Sequence, residues 1–511
     1  MHRTTTGAPA ARRVLALTLA TVLLVAGCTP PRHQAPVTPP PVVPEGIGSE
    51  LVEFYSQSVQ WTECGDLQCA TARVPLDWDA PADGEIAIKL ARNPADGERQ
   101  GALFVNPGGP GGSGVDLAEQ SGAIFGEKVL EAYDVVGFDP RGVGASNPVQ
   151  CLEPAGSDAL FGRDFDHDTD AGLAEALAAW EAFGEACAQR TGELLGHVGT
   201  VSAAKDLDVL RAIVGDETLT YLGYSYGTQL GATYATLFPE HVGRLVLDGA
   251  VDPTLTGREL NLGQAEGFER ALRNYVEYCQ TQDDCPLTGS LEDGLSRLRE
   301  LSDRARKAPL ATGDPARRLT ATLLFYGVAV TLYDNRSWPF LTEALTEAIL
   351  EGRGGIFLGL ADFYFDRSDD GTYLSNQTEA FYAVNCADSR GNAEPDEMRA
   401  EAAELLEVAP TLGGAFGFAE VPCARWPTPP QGLPDDFSAP GTPPIVVIGT
   451  TNDPATPYAW SQNLAKILDS GVLMTFEGEG HTAYGRSNAC IDDAVDAFFV
   501  DGEVPQDGLW C

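Results

Sequence analysis

Gly223-Tyr224-Ser225-Tyr226-Gly227 is a GxSxG pentapeptide set between an apolar run, Leu219-Thr220-Tyr221-Leu222, and a helical pattern that starts near Thr228. The chemistry this suggests is nucleophilic attack by Ser225 from a strained strand-to-helix turn. Side chains two positions either side of the serine would crowd such a turn, so glycine is required at both. The helix N-terminus that follows favours developing negative charge. In a chain with 56 Gly the pentapeptide alone means little, and its setting carries the reading.

A serine hydroxyl attacks only when a base takes its proton, and the chain has six His. His2 falls in an N-terminal address segment, His33 in a Pro-rich stretch and His167 in the acidic run Asp164-Phe165-Asp166-His167-Asp168. His197 precedes a helix and His241 follows one. His481, in Gly478-Glu479-Gly480-His481-Thr482, stands just after an apolar strand pattern and is the expected base. Asp453, in Thr451-Asn452-Asp453-Pro454, follows another strand and is expected to orient it, although Asp before Pro is also an ordinary turn residue. The order Ser225, Asp453, His481 is that of α/β-hydrolases. An oxyanion site is expected in Pro107-Gly108-Gly109-Pro110-Gly111-Gly112-Ser113-Gly114, with the amides of Gly108, Gly109 and Tyr226 as donors. The same stretch holds a formal GxGxxG, Gly109 to Gly114; a dinucleotide fold would leave Ser225, Asp453 and His481 unexplained.

These residues need a scaffold. Ala102 to Asn106, Tyr133 to Phe138, Leu219 to Tyr224, Arg244 to Leu247, Ile445 to Gly449 and Val472 to Phe476 read as buried strands. Helical patterns at Ser202 to Val214, Thr228 to Phe238 and Ile491 to Phe499 alternate with them, which predicts an α/β fold: a mostly parallel sheet flanked by helices. Strand patterns stop between Leu247 and Ile445. Leu260 to Tyr278, Leu291 to Lys307, Trp338 to Glu351 and Glu397 to Val408 are instead helical, so residues 253–435 are expected to form a cap or lid between core segments 50–252 and 436–511.

Residues 1–28 read as an export signal, with Arg3, Arg12 and Arg13 before an apolar run too short to span a bilayer. Leu24-Val25-Ala26-Gly27-Cys28 resembles a bacterial lipobox, which implies lipid attachment at Cys28 and a place on the outer face of the cell membrane. Residues 29–49, with Pro30-Pro31 and Pro39-Pro40-Pro41, suit an extended tether. Of 11 Cys, removing Cys28 leaves an even ten, as disulfide bonding in an oxidising compartment requires. Sequence leaves their connectivity open; proximity suggests Cys64 with Cys69, Cys279 with Cys285 and Cys490 with Cys511, then Cys151 with Cys187 and Cys386 with Cys423. No CxxC spacing supports a metal site, and no cofactor is expected. A formal net charge of −41 argues against nucleic-acid binding.

Gly108 to Gly114, Gly137-Phe138-Asp139-Pro140-Arg141-Gly142-Val143-Gly144-Ala145-Ser146, Gly223 to Thr228, and Asp453 with Gly480-His481-Thr482 together resemble the actinobacterial tripeptidyl aminopeptidase and proline iminopeptidase group of α/β-hydrolases. The iminopeptidases carry HGGPGG where this chain has Asn106-Pro107-Gly108-Gly109-Pro110-Gly111-Gly112, so the resemblance favours the tripeptidyl branch. It implies a serine hydrolase releasing short peptides from free N-termini. A carboxylesterase of envelope lipids is the alternative, and a peptide-binding lipoprotein without catalysis a third reading. An aminopeptidase must hold an ammonium group, and Asp388, after an apolar aromatic run and beside Cys386, is the cap acid singled out for it, against a structural hydrogen-bonding role.

Overall fold

The computed structural model describes residues 39–511. The expected signal segment, Cys28, His2, His33 and the first half of the expected tether lie outside the described residues. Ten strands form one sheet: β1 (Thr62–Cys64), β2 (Leu67–Pro75), β3 (Glu85–Asn93), β4 (Gly101–Asn106), β5 (Tyr133–Phe138), β6 (Leu219–Tyr224), β7 (Val242–Asp248), β8 (Ile445–Asn452), β9 (Gly471–Glu479) and β10 (Leu509–Trp510). Their order is β1-β2-β3-β5-β4-β6-β7-β8-β9-β10. Pairing is antiparallel from β1 through β3 to β5 and parallel from there to β10.

Every residue of β4 and β5 is buried, as expected for parallel strands covered on both faces. Side chains alternate between two core layers: Leu103 and Val105 share one with Val135, Val446, Ile448 and Phe499, whereas Phe104 shares the other with Phe138, Leu207, Leu210 and Tyr221. Of the strands not expected from sequence, β1 to β3 form the antiparallel end of the sheet and β10 is a two-residue parallel strand at the other edge. In β2 the alternation is carried by Ala70, Ala72 and Val74 between Thr71 and Arg73, and alanine is a weak strand signal.

Between β7 and β8 the chain is helical, including Gly257–Gln280, Leu291–Lys307, Ala321–Leu332, Trp338–Thr346, Gln377–Asp388 and Pro395–Val408. Thr256 with Glu259, and Ser290 with Asp293, form capping boxes that start the first two. This layer also recruits chain from before β6. Leu173, Ala176 and Leu177, on the helix Asp170–Thr191, share a core with Met398 and Val421, and Trp180 packs on Tyr382 with centroids 4.6 Å apart.

All five disulfides suggested by proximity are present: Cys64–Cys69, Cys151–Cys187, Cys279–Cys285, Cys386–Cys423 and Cys490–Cys511. The second half of the tether, expected to be an unpacked stalk, is instead docked. Val42 N–H donates to the Ala212 carbonyl at 2.9 Å, and a Cβ at Gly215 would come within 2.5 Å of Pro39.

Candidate active site

Ser225 sits between the end of β6 and the helix Tyr226–Leu237 with φ 56° and ψ −124°, the strained elbow that a GxSxG pentapeptide permits. A Cβ at Gly223 would lie 2.3 Å from the Gly227 carbonyl, and one at Gly227 would lie 2.8 Å from the Asn106 carbonyl. The turn therefore excludes any other residue at either position.

His481 follows β9, and Asp453 lies just beyond β8. The Asp453 carboxylate is fully buried; His481 Nδ1 lies 2.9 Å and 2.8 Å from its two oxygens. This contact assigns the ring proton to Nδ1 and leaves Nε2 as the basic nitrogen. Nε2 is buried with no partner among the described residues. Asp453 is itself held by the amides of Ala455, Thr456 and Thr482, at 2.9, 2.8 and 3.2 Å, and by the Thr456 hydroxyl at 3.0 Å. On the other side His481 N–H donates to the Tyr333 carbonyl at 2.8 Å, and the Tyr333 ring meets the imidazole edge-on with centroids 5.4 Å apart. The helical insertion thus touches the base loop directly. The remaining described histidines have other partners: His241 Nδ1 lies 2.8 Å from Asp208, His197 faces Asp77 at 3.7 Å, and His167 stacks on Phe418.

The glycine loop after β4 lies against the elbow. At Gly108, φ is +95° and a Cβ would meet the Tyr224 carbonyl at 2.5 Å and Ser225 Cβ at 2.9 Å, so only glycine permits this approach. The expectation that Gly108 is an oxyanion donor needs correction, because its amide donates to Asn106 Oδ1 at 3.0 Å. Gly109 is exposed, and Tyr226 opens its helix, where amides have no intrahelical acceptor. These two amides are the ones left of the three expected donors. Asp139, in the second motif noted above, accepts from Ser113 Oγ at 2.6 Å and from the Ala145 amide at 2.9 Å, fastening the far end of the loop. Arg141 of that motif is fully buried against Asp206 and is structural. The formal GxGxxG belongs to this loop, folded over the elbow.

Asp388 also departs from expectation. It is buried, and its oxygens accept from the Thr200 amide at 2.7 Å, Thr200 Oγ1 at 2.5 Å and Gln229 Nε2 at 3.3 Å. It accepts the first amide of the helix Thr200–Ile213, and through Thr200 Oγ1, 2.7 Å from the Tyr226 hydroxyl, it braces the residue after Ser225. Its carboxylate is committed inside the protein, which replaces the ammonium-binding expectation. Burial, opposed by the Thr200 hydrogen bonds, pushes its pKa up to about 7. A second buried acid, Asp248 at the end of β7, is pushed up to about 6 by burial against the opposing amides of Ala483 and Tyr484. Neither Thr456 nor Asp248 was singled out in the sequence. Thr456 had a local signal, three residues after Asp453 in an Asp-Pro-Ala-Thr turn.

Residues 409–511 match the model of the family described as TAP-like protein. The chain is 38% identical over 478 residues to Serine protease Hip1 of Mycobacterium tuberculosis, covering 89% of this chain and 91% of that protein. It is 38% identical over 478 residues to Carboxylesterase B of the same species, covering 92% and 91%. Tripeptidyl aminopeptidase of Streptomyces coelicolor is 31% identical over 479 residues, covering 90% of this chain and 86% of that one. With a mostly parallel ten-stranded sheet flanked by helices and a serine elbow after β6, the chain belongs to the tripeptidyl aminopeptidase-like family of α/β-hydrolases and is a serine hydrolase.

Proposed function

We propose that this chain is an exported aminopeptidase that releases short peptides, tripeptides in the first instance, from free N-termini through an acyl-enzyme. Ser225 attacks the scissile carbonyl while His481 Nε2 takes its proton; His481 then gives that proton to the leaving amine, and water repeats the sequence on the ester. Asp453 keeps the imidazole oriented and stabilises its cation. The amides of Gly109 and Tyr226 receive the oxyanion. The observation that carries the reading is the His481–Asp453 pair, with Nδ1 bonded to both carboxylate oxygens and Nε2 left without a partner among the described residues. Relatives named serine protease and tripeptidyl aminopeptidase support a peptide substrate.

We read the helical residues 253–435 as the cap that shapes the peptide site, Cys28 as the lipid-bearing residue, and residues 29–49 as the link to the membrane surface. A relative named Carboxylesterase B, at the same 38% identity, favours a second reading, hydrolysis of small or envelope esters. Hydrolysis of mono-, di- and tripeptidyl amides, free and N-acetylated, beside acyl nitrophenyl esters, separates the two. The aminopeptidase reading expects turnover of free tripeptidyl amides and little of the acetylated ones. Ester turnover with no cleavage of any peptidyl amide would refute it.

A further inference from the structure

Asp248 is fully buried, yet it touches both halves of the catalytic apparatus. Its backbone carbonyl accepts the Ser225 N–H at 2.9 Å. Its carboxylate accepts the Ala483 amide at 3.0 and 2.9 Å and the Tyr484 amide at 2.8 Å, two and three residues past His481. The next residue, Gly249, has φ +65°, and a Cβ there would come within 3.1 Å of His481 Cε1 and 3.0 Å of Thr482 Cγ2. The end of β7 is therefore wedged between the nucleophile elbow and the base loop. A buried carboxylate is costly to keep unless hydrogen bonds satisfy it, and amides of the base loop supply them here.

We propose that Asp248 is a positioning residue that fixes the base loop against the nucleophile elbow, setting the approach of His481 Nε2 to Ser225 Oγ. The inference rests on the triad reading above. Both oxygens are engaged by backbone amides of the base loop, so Asp248 acts through the backbone it holds. Reaction rate is steeply sensitive to such placement: a displacement of about 1 Å costs about 100-fold. Substrate binding, made by other residues, is left in place.

The test is Asp248→Asn in the full chain, which keeps volume but turns one amide acceptor into an N–H facing another N–H. The expected result is a kcat lower by about 10- to 100-fold, with KM within about two-fold. The circular dichroism spectrum and disulfide content stay unchanged, and fluorophosphonate labelling of Ser225 slows in parallel with kcat. Asp248→Ser, smaller and with one remaining acceptor, is measured if the Asn variant does not fold. A folded variant with unchanged kcat overturns the proposal. So does a kcat loss matched by loss of titratable active sites, or failure of both variants to fold, either of which makes Asp248 a stability residue only. Ser225→Ala and His481→Ala run alongside: turnover in those would sink the triad reading, whereas inert controls beside a fully active Asp248→Asn would sink this inference alone.

Discussion

Replacing Asp388 by Asn tests whether this acid is a structural cap. Asn can accept the Thr200 amide at Oδ1 and donate Nδ2–H to Thr200 Oγ1, so the two Thr200 bonds survive, the longer one from Gln229 Nε2 is lost, and the charge is removed. The native carboxyl has a pKa pushed up to about 7 from 3.8, chiefly by burial. Between those two pH values the folded protein keeps a proton that the unfolded chain has released, so wild-type stability falls as pH rises through the window. Asn does not titrate and escapes that loss. About three pH units at about 1.4 kcal/mol each give an upper value of about 4 kcal/mol, and relaxation around the charge brings the expectation to about 2–4 kcal/mol. Urea unfolding at pH 4.5 and pH 8 measures it. The stability of Asp388→Asn relative to the unmodified protein should rise between the two pH values, and KM for free tripeptidyl amides should not change. A gap that stays constant, or a variant that becomes relatively less stable at pH 8, would refute the argument. A large KM increase confined to free N-termini would restore the ammonium-binding role.

Gly108→Ala should lower kcat by about 100-fold or more and destabilise the fold by more than about 1 kcal/mol, because the methyl group would collide with the Tyr224 carbonyl at 2.5 Å in a left-handed backbone; steady-state kinetics and urea unfolding check both. The ten cysteines of the five disulfides should give no thiol titre without reductant, and peptide mapping should join Cys490 to Cys511, whereas several thiol equivalents per chain would contradict the pairing. Asp453→Asn should fold and retain less than about one part in 10³ of kcat, since the imidazole loses the acceptor that fixes its tautomer.

The parallel strands, and the turns after them that carry Ser225, Asp453 and His481, were legible because each follows a short, largely apolar run, and a run of that kind has few alternatives to a buried strand. The glycines at 223 and 227 were legible for a steric reason that the structure bears out in contacts of 2.3 and 2.8 Å. The hairpins of β1 to β3 were passed over: in β2 the alternation is carried mainly by alanine, a weak strand signal, whereas β3 did alternate Ile86, Ile88 and Leu90 with Ala87 and Lys89 and was simply not taken up. Gly108 was misread although Asn106 stood two residues before it, a spacing at which an Asn side chain commonly takes a backbone amide. Asp388 was misread because its partner Thr200 is 188 residues away, and Asp248 was passed over because the amides it holds lie 235 and 236 residues on. Local sequence records which residues are acidic or apolar. It does not record which distant backbone amide a buried carboxylate must satisfy.

The central claim is that Ser225, activated by His481, is the nucleophile. Reaction with a fluorophosphonate, followed by mass mapping of the adduct, addresses it most directly. One adduct per chain is expected on the peptide containing Ser225, none in Ser225→Ala, and labelling slowed by at least about 10³-fold in His481→Ala. An adduct on any other serine, or normal turnover by Ser225→Ala, would contradict it.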